Sequence, residues 1–467
     1  MKRIRVIGGG LAGPEAALQA ATMGCEVELY EMRPLRSTEA HQTADFAELV
    51  CSNSLKSESE NTAPWLLKQE MRRAGSVLLA EADASAVPAG HALAVDRVEF
   101  SRRVAARIES LAGSGAGRIA IHREEVTRLE EADAGTITIL ATGPLTSPAL
   151  AAELQRLTGA AHLAFYDSIS PIVDATTIDM QKVYFAARYD KGTADYINCP
   201  FAKAEYDRFL DALTTAEAVA PKPWEAIPSP GPQPPTGKQQ PAAVPYFEGC
   251  LPIEETARRG RDTLRFGPMK PVGLTDPKTG KWPYAVVQLR QENLRADSYN
   301  LVGFQNHLRF GEQARVLRLI PGLENATFLR YGQIHRNTYI NAPALLTETL
   351  QLRSHPSVLV AGQLSGVEGY TESIASGLLA GRYAAALARG EQPTPAPRLS
   401  ANGSLKHYIT HAESKRFQPA NITFDLLPPL EEELRRRIRD KKERHRIQCE
   451  RALAAWDEWL AEVGAIA

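Results

Sequence analysis

Residues 3–31 read Arg-Ile-Arg-Val-Ile-Gly-Gly-Gly-Leu-Ala-Gly-Pro-Glu-Ala-Ala-Leu-Gln-Ala-Ala-Thr-Met-Gly-Cys-Glu-Val-Glu-Leu-Tyr-Glu. Ile4, Val6 and Ile7 have the pattern of a short buried strand, and Gly8, Gly10 and Gly13 follow it as G-x-G-x-x-G. The three glycines serve different ends. Gly8 allows a tight turn, Gly10 lets the backbone approach a pyrophosphate, and Gly13 lets a helix lie close to the strand. An alanine-rich helix is predicted to run to about Met23, with Gly24 placed to end it. Pro14 falls in its first turn, where a missing N–H costs little. Val27 and Leu29 make a second strand, and Glu31 closes it 18 residues after Gly13. A carboxylate there can accept hydrogen bonds from ribose hydroxyls and disfavours a 2′-phosphate. The glycine motif alone is weak; with the strand before it, the helix after it and the acid at this distance, it predicts a bound dinucleotide.

Two later stretches bear on which dinucleotide. Residues 137–144 read Ile-Thr-Ile-Leu-Ala-Thr-Gly-Pro, and residues 358–366 read Val-Leu-Val-Ala-Gly-Gln-Leu-Ser-Gly. Each is a short apolar strand ending in small residues, and the second leads through Val367-Glu368-Gly369-Tyr370 into an alanine- and glycine-rich helix pattern. Such a helix can aim its first N–H groups at a phosphate or at a flavin ring. Large flavoproteins commonly return a late segment to complete the cofactor site, a fold-level analogy that favours FAD over NAD. Gly143, Gly362 and Gly369 therefore join Gly8, Gly10, Gly13 and Glu31 as candidate cofactor-binding residues.

The chain has 467 residues, enough for two or three domains. Its hydrophobic fraction of 44% and charged fraction of 23% are ordinary for a folded protein. No apolar run has the length of a membrane span, and the stretch behind Lys2 and Arg3 is too short for a signal peptide. The predicted fold class is α/β: a Rossmann-like FAD-binding domain with an inserted α+β second domain. Residues 1–164 and 341–430 are assigned to the FAD-binding domain, 165–340 to the insertion, and 431–467 to a charged helical C-terminal extension. Residues 221–245, with nine prolines, read as a loop or flap.

The net charge of −1 argues against a non-specific nucleic-acid coat and leaves local basic patches open. Residues 258–270 carry five basic groups against one acid, with Phe247, Phe266, Trp282 and Tyr284 nearby, a combination that can grip phosphates and stack bases. Residues 435–446 hold eight lysines and arginines against two acids; mixed charge at helical spacing favours a solvent-exposed helix over an RNA-binding arm.

The five cysteines stand at 25, 51, 199, 250 and 449, with no C-x-x-C pair, so a reducing compartment is expected and no metal site. Cys51 precedes the small polar run Ser52-Asn53-Ser54, and Lys56 stands near enough in sequence to support a thiolate. Cys250 lies between Gly249 and Pro252, ahead of Glu254 and Glu255, either of which could move protons. Cys25 reads as core. A thiolate beside a flavin can serve disulfide exchange or addition to an electron-poor ring such as uracil.

Several segments together carry a resemblance. They are Val6-Ile7-Gly8-Gly9-Gly10-Leu11-Ala12-Gly13-Pro14-Glu15, Cys51-Ser52-Asn53-Ser54-Leu55-Lys56-Ser57, Tyr246-Phe247-Glu248-Gly249-Cys250-Leu251-Pro252, Arg265-Phe266-Gly267-Pro268-Met269-Lys270, Gln333-Ile334-His335-Arg336-Asn337 and Phe417-Gln418-Pro419-Ala420-Asn421. Over about residues 1–430 the chain resembles the bacterial folate- and FAD-dependent tRNA uracil-5-methyltransferases; the tail beyond 430 looks like an individual extension. The resemblance implies a cytoplasmic enzyme that makes 5-methyluridine at position 54 of the tRNA T loop. It implies carbon from 5,10-methylenetetrahydrofolate, electrons from NAD(P)H through FAD, and no obligate protein partner. It places the two functional cysteines at Cys250, attacking C6 of the uracil, and at Cys51, in a supporting or proton-abstracting role. The basic segment 258–270 would then hold tRNA backbone. The alternatives are the related, longer flavoprotein that modifies wobble uridine with a GTPase partner, for whose helical C-terminal domain this chain has no room, and a non-catalytic RNA-binding flavoprotein.

Overall fold

Five parallel strands set the architecture of a computed structural model that describes residues 2–38, 40–129, 135–159, 163–190, 192–219 and 251–464. In spatial order they are Val358–Val360, Thr136–Leu140, Arg3–Ile7, Val27–Tyr30 and Ile119–His122. The predicted strands at 4–7, 27–29, 137–140 and 358–360 thus lie side by side, although 218 residues separate Leu140 from Val358. Ile4, Val6, Val27, Leu29, Ile139 and Leu359 are fully buried, as expected of a parallel sheet covered on both faces.

The helix Ala12–Thr22 follows the glycine turn, and the long helix Tyr370–Arg389 packs along it. Their small residues explain the close approach. A Cβ on Gly377 would stand 2.3 Å from the carbonyl oxygen of Ala12, and one on Gly381 would stand 2.5 Å from that of Ala16. The helix Arg97–Ser110 begins where Asp96 predicts it: the Asp96 carboxylate accepts the N–H groups of Val98 and Glu99, each at 3.1 Å.

A second, antiparallel sheet has the order Tyr184–Phe185, Ile197–Phe201, Ala285–Gln291, Ser298–Leu301, Ile172–Asp174 and Phe328–Arg330. The helices Lys203–Thr215 and Phe310–Leu317 pack on it. Two apolar cores result: one draws on residues 4–154 and 339–460, the other on 173–326. The two passages between the sheets, Leu163–Ser168 and Ile334–Tyr339, pair as an antiparallel ribbon. The molecule is thus a Rossmann-like α/β unit with an α+β unit inserted in its sequence.

The C-terminal segment departs from the expected solvated helix. Its basic start does face solvent, with Asp440 capping the helix Lys441–Val463. Farther on, Cys449, Ala452, Trp456, Trp459 and Leu460 are buried in the first core, and the Trp456 indole N–H donates to the Glu70 carbonyl at 2.7 Å. The charge of the first turns conceals an apolar face that begins later in the same helix. The proline-rich stretch 221–245 lies outside the described residues, and among those described no helix is long and apolar enough to cross a membrane.

Candidate active site

A cavity of about 340 Å³ opens at the carboxyl ends of the strands Arg3–Ile7, Val27–Tyr30 and Thr136–Leu140, where α/β sheets bind their ligands. Gly8, Gly10, Glu31, Gly143, Gly362 and Gly369 all line it, together with Cys51. Gly8 has φ +118°, and a Cβ there would lie 2.4 Å from the Ala141 carbonyl oxygen. A Cβ on Gly10 would meet nothing within 4 Å, so the space above it is open to a ligand. Gly13 works beneath the cavity: a Cβ there would stand 1.8 Å from the Gly8 carbonyl oxygen.

Glu31 is buried and already engaged. Its carboxylate accepts the Gly9 N–H at 2.7 Å, the Arg33 N–H at 2.9 Å and the Arg33 Nε–H at 2.8 Å. Burial alone would raise its pKa; the hydrogen bonds and charge of Arg33 outweigh that and hold it below the usual carboxylate range. Three of its roughly four lone-pair sites are filled, which leaves one for a ligand hydroxyl. Arg33, itself buried, reaches on to Glu48 at 3.0 Å. The sequence reading missed Gly9, Arg33 and Glu48. Only Gly9 left a signal, as the middle of three consecutive glycines; a Cβ on it would fall 2.5 Å from Glu31 Oε2.

Distant parts of the chain hold the Cys51 loop. The Tyr370 hydroxyl accepts the N–H groups of Cys51 at 2.7 Å and Ser52 at 3.1 Å. Arg97 donates to the Leu49 carbonyl at 2.8 Å and pairs at 2.6 Å with Glu292, which follows the strand Ala285–Gln291 of the inserted unit. Asn53, fully buried, donates to the carbonyls of Val95 and Gln291 and accepts from Arg290 Nε at 2.9 Å. The loop is therefore fixed between the two units. Lys56 does not stand ready for a thiolate alone, because its ammonium pairs with the buried Glu372 at 2.6 Å.

Cys250 lies outside the described residues. The chain just after it meets the cavity wall: the Ile253 N–H donates to the carbonyl of Gln305, a lining residue, at 2.8 Å. Glu254, in the first turn of the helix Ile253–Arg258, is fully buried and accepts from His307 N–H at 2.9 Å and from Nδ1 at 2.7 Å. Of the other cysteines, Cys25, Cys199 and Cys449 are buried in apolar cores, and burial raises all three thiol pKa values.

The lining fits a flavin dinucleotide. Asn337 Oδ1 and Asn421 Oδ1 are buried acceptors of the cavity wall with no protein donor among the described residues, suited to ring N–H and ribityl hydroxyl groups. Gly369, at φ +106°, opens the helix Tyr370–Arg389, whose N-terminus faces the same space.

The basic stretch 258–270 looks different folded. Arg258 pairs with Glu255; Arg261 pairs with Asp211 at 2.6 Å and Asp207 at 3.2 Å; Arg265 pairs with Asp262 and lies 3.7 Å over the Tyr284 ring. Carboxylates from the helix Lys203–Thr215, about fifty positions earlier, answer a charge that seemed bare in the sequence.

A family model described as "Glucose inhibited division protein A" matches residues 3–392. The chain is 66% identical over 459 residues to the methylenetetrahydrofolate--tRNA-(uracil-5-)-methyltransferase TrmFO of Koribacter versatilis (strain Ellin345), covering 98% of each protein. It is 60% identical to the protein of the same name from Solibacter usitatus (strain Ellin6076), again covering 98% of each. The segment after residue 430 is thus shared with these relatives, not an individual extension. Among solved structures, GidA of Aquifex aeolicus superposes with a TM-score of 0.68 at 16% identity, covering all of this chain and 74% of that one, a likeness of fold. With both the glycine-lined cavity and near-full-length identity of this degree, the chain belongs to the family of methylenetetrahydrofolate--tRNA-(uracil-5-)-methyltransferases.

Proposed function

We propose that this chain methylates C5 of uridine 54 in the tRNA T loop, with 5,10-methylenetetrahydrofolate as carbon donor and NAD(P)H as electron source, in the cytoplasm. The observation that carries the reading is the placement of Cys51 in the wall of the same cavity as Gly8, Gly10 and Glu31. Gly8, Gly10, Gly13, Glu31, Gly143, Gly362 and Gly369 are the residues proposed to hold FAD. Bound and reduced, FAD supplies the electrons that turn a transferred methylene into a methyl group.

The chain's own residues supply nucleophile and base. C5 of uracil is a poor nucleophile. The Cys250 thiolate adds to C6, and the π electrons pass to C5 and O4 as an enolate. C5 then bonds to the electrophilic methylene carbon; Cys51 takes the C5 proton as the donor amine leaves that carbon, and hydride addition to the resulting exocyclic methylene expels the Cys250 thiolate and restores the C5–C6 double bond. The uracil must leave its stack to be reached. Tyr370, Arg97 and Asn53 support this reading by fixing the loop that presents Cys51. We also propose 1–164 with 341–430 as the cofactor-binding domain and 165–340 as the substrate-side insertion, in line with the two separate cores.

The test incubates the flavin-loaded protein with undermodified tRNA, methylenetetrahydrofolate and NAD(P)H, followed by nucleoside analysis. Folate-dependent 5-methyluridine at position 54 is expected. Modification at the wobble position, or none at all with bound tRNA, would reject the assignment. A Cys250→Ala variant is expected to lose both turnover and the covalent adduct with 5-fluorouracil-containing RNA.

A further inference from the structure

His407 and His411 stand one turn apart on the helix Ala401–His411, their rings stacked at 4.1 Å between centroids and 17° between planes. Glu348, from the turn that follows the helix Ala342–Leu345, reaches the same spot. Its Oε1 lies 3.5 Å from His411 Nε2 and 3.9 Å from His407 Nδ1. The three candidate ligand atoms fall within 4.8 Å of one another at the protein surface. None of the three residues lines the cofactor cavity.

The tautomer of His411 can be worked out from its neighbours. The Thr410 hydroxyl donates its one proton to the Lys406 carbonyl at 2.9 Å. His411 Nδ1 lies 2.9 Å from that hydroxyl oxygen and 3.3 Å from the His407 carbonyl, which can only accept, so the tautomer with hydrogen on Nδ1 satisfies both contacts. In the neutral ring, Nε2 then presents a lone pair toward the Glu348 carboxylate. An imidazole nitrogen and a carboxylate oxygen facing one another across 3.5 Å share a cation between them, either a proton or a metal ion. A ligating histidine characteristically donates its other ring N–H to a nearby acceptor in this way.

We propose that Glu348, His407 and His411 bind one divalent transition-metal ion, zinc or a first-row neighbour. Ligands at about 2.0–2.1 Å around tetrahedral zinc stand roughly 3.3 Å apart. The observed 3.5 and 3.9 Å approach that spacing; closing the site takes an inward shift of Glu348, whose side chain is half exposed, and a rotation of at least one of the stacked imidazoles so that both lone pairs meet the ion. Two imidazoles and one carboxylate favour zinc, cobalt, nickel or copper over magnesium or calcium. The ion would tie the turn around Glu348 to the last turn of the helix Ala401–His411 and leave coordination positions for water.

The flavin-loaded full-length protein, stripped with chelator and dialysed, is titrated with zinc chloride against a chromophoric chelator. The wild type is expected to take up one equivalent more than the His407→Ala/His411→Ala variant, and Glu348→Gln to bind that equivalent at least tenfold more weakly. Zinc is expected to raise the melting temperature of the wild type and not of the double variant. Cobalt at this site is expected to show visible d–d bands without thiolate charge transfer. Equal zinc uptake by wild type and double variant overturns the proposal, as does a thiolate band accounting for all bound cobalt. Should the double variant fail to fold, Glu348→Gln decides by the same titration.

Discussion

The phenolic oxygen of Tyr370 accepts the backbone N–H of Cys51 at 2.7 Å, across 319 positions of sequence. It also accepts the next N–H, that of Ser52, at 3.1 Å. Tyr370→Phe strands both donors, at a cost of about 1–3 kcal/mol. We expect a lower melting temperature and a larger fall in methylation rate than in flavin content. A variant that methylates at the wild-type rate would show that this grip on the loop is dispensable.

Two glycines of one motif should fail in opposite ways. Gly10→Val places atoms in open space, so the protein is expected to fold but to purify without the absorbance of bound flavin. Gly13→Ala drives a methyl into the Gly8 carbonyl oxygen and is expected to cost about 1–3 kcal/mol of stability. Denaturation midpoints and flavin absorbance on both variants separate the two effects.

Glu31 gives an acid-side prediction. Its pKa is lowered in the folded protein, so its contribution is present above the ordinary carboxylate value of 4.5 and is lost as pH falls through the folded value. Glu31→Gln is expected to lower stability at pH 7, to flatten the loss of stability on acidification, and to weaken FAD binding. Urea denaturation at neutral and acid pH, with flavin release, measures all three; an unchanged acid limb contradicts the argument.

Glu70 works in the opposite direction. It is buried and accepts the N–H groups of Ala401 at 2.6 Å and Asn402 at 2.9 Å, yet burial pushes its pKa from 4.5 up to about 7. Glu15, buried in the first helix, is likewise pushed up to about 7. A raised carboxyl pKa gives stability that is complete below 4.5 and lost as pH rises toward 7. Thermal melts are expected to fall between pH 5 and 8 from these two groups, and Glu70→Gln to reduce that fall. A variant with the wild-type pH slope would remove Glu70 as its source.

The nucleotide-binding half was legible because its constraints are local: Gly8, Gly10, Gly13 and Glu31 sit within one strand–helix–strand unit, and Asp96 caps the helix it precedes. The partners of Cys51 were not legible. Tyr370 and Glu292 come from segments hundreds of residues away, and Lys56, judged by its neighbours alone, seemed available until Glu372 came beside it. The partners of Arg261 were hidden for the same reason, since Asp207 and Asp211 meet it only through tertiary packing, whereas Arg258 and Arg265 pair with Glu255 and Asp262 three positions away. The three-residue cluster at Glu348 was hidden likewise: the spacing of His407 and His411 is visible in the sequence, the carboxylate opposite them is not.

Among the described residues the strand Val358–Val360 is an edge of the parallel sheet, paired there with Thr136–Leu140, and the tryptophans at 456 and 459 seal the same core. A nascent chain therefore reaches the ribosomal exit with its cofactor cradle lacking an edge strand and part of its lining, while the six-stranded sheet of residues 172–330 is already whole. The order of emergence lets the inserted unit pack first and completes the glycine-lined cavity only late in synthesis.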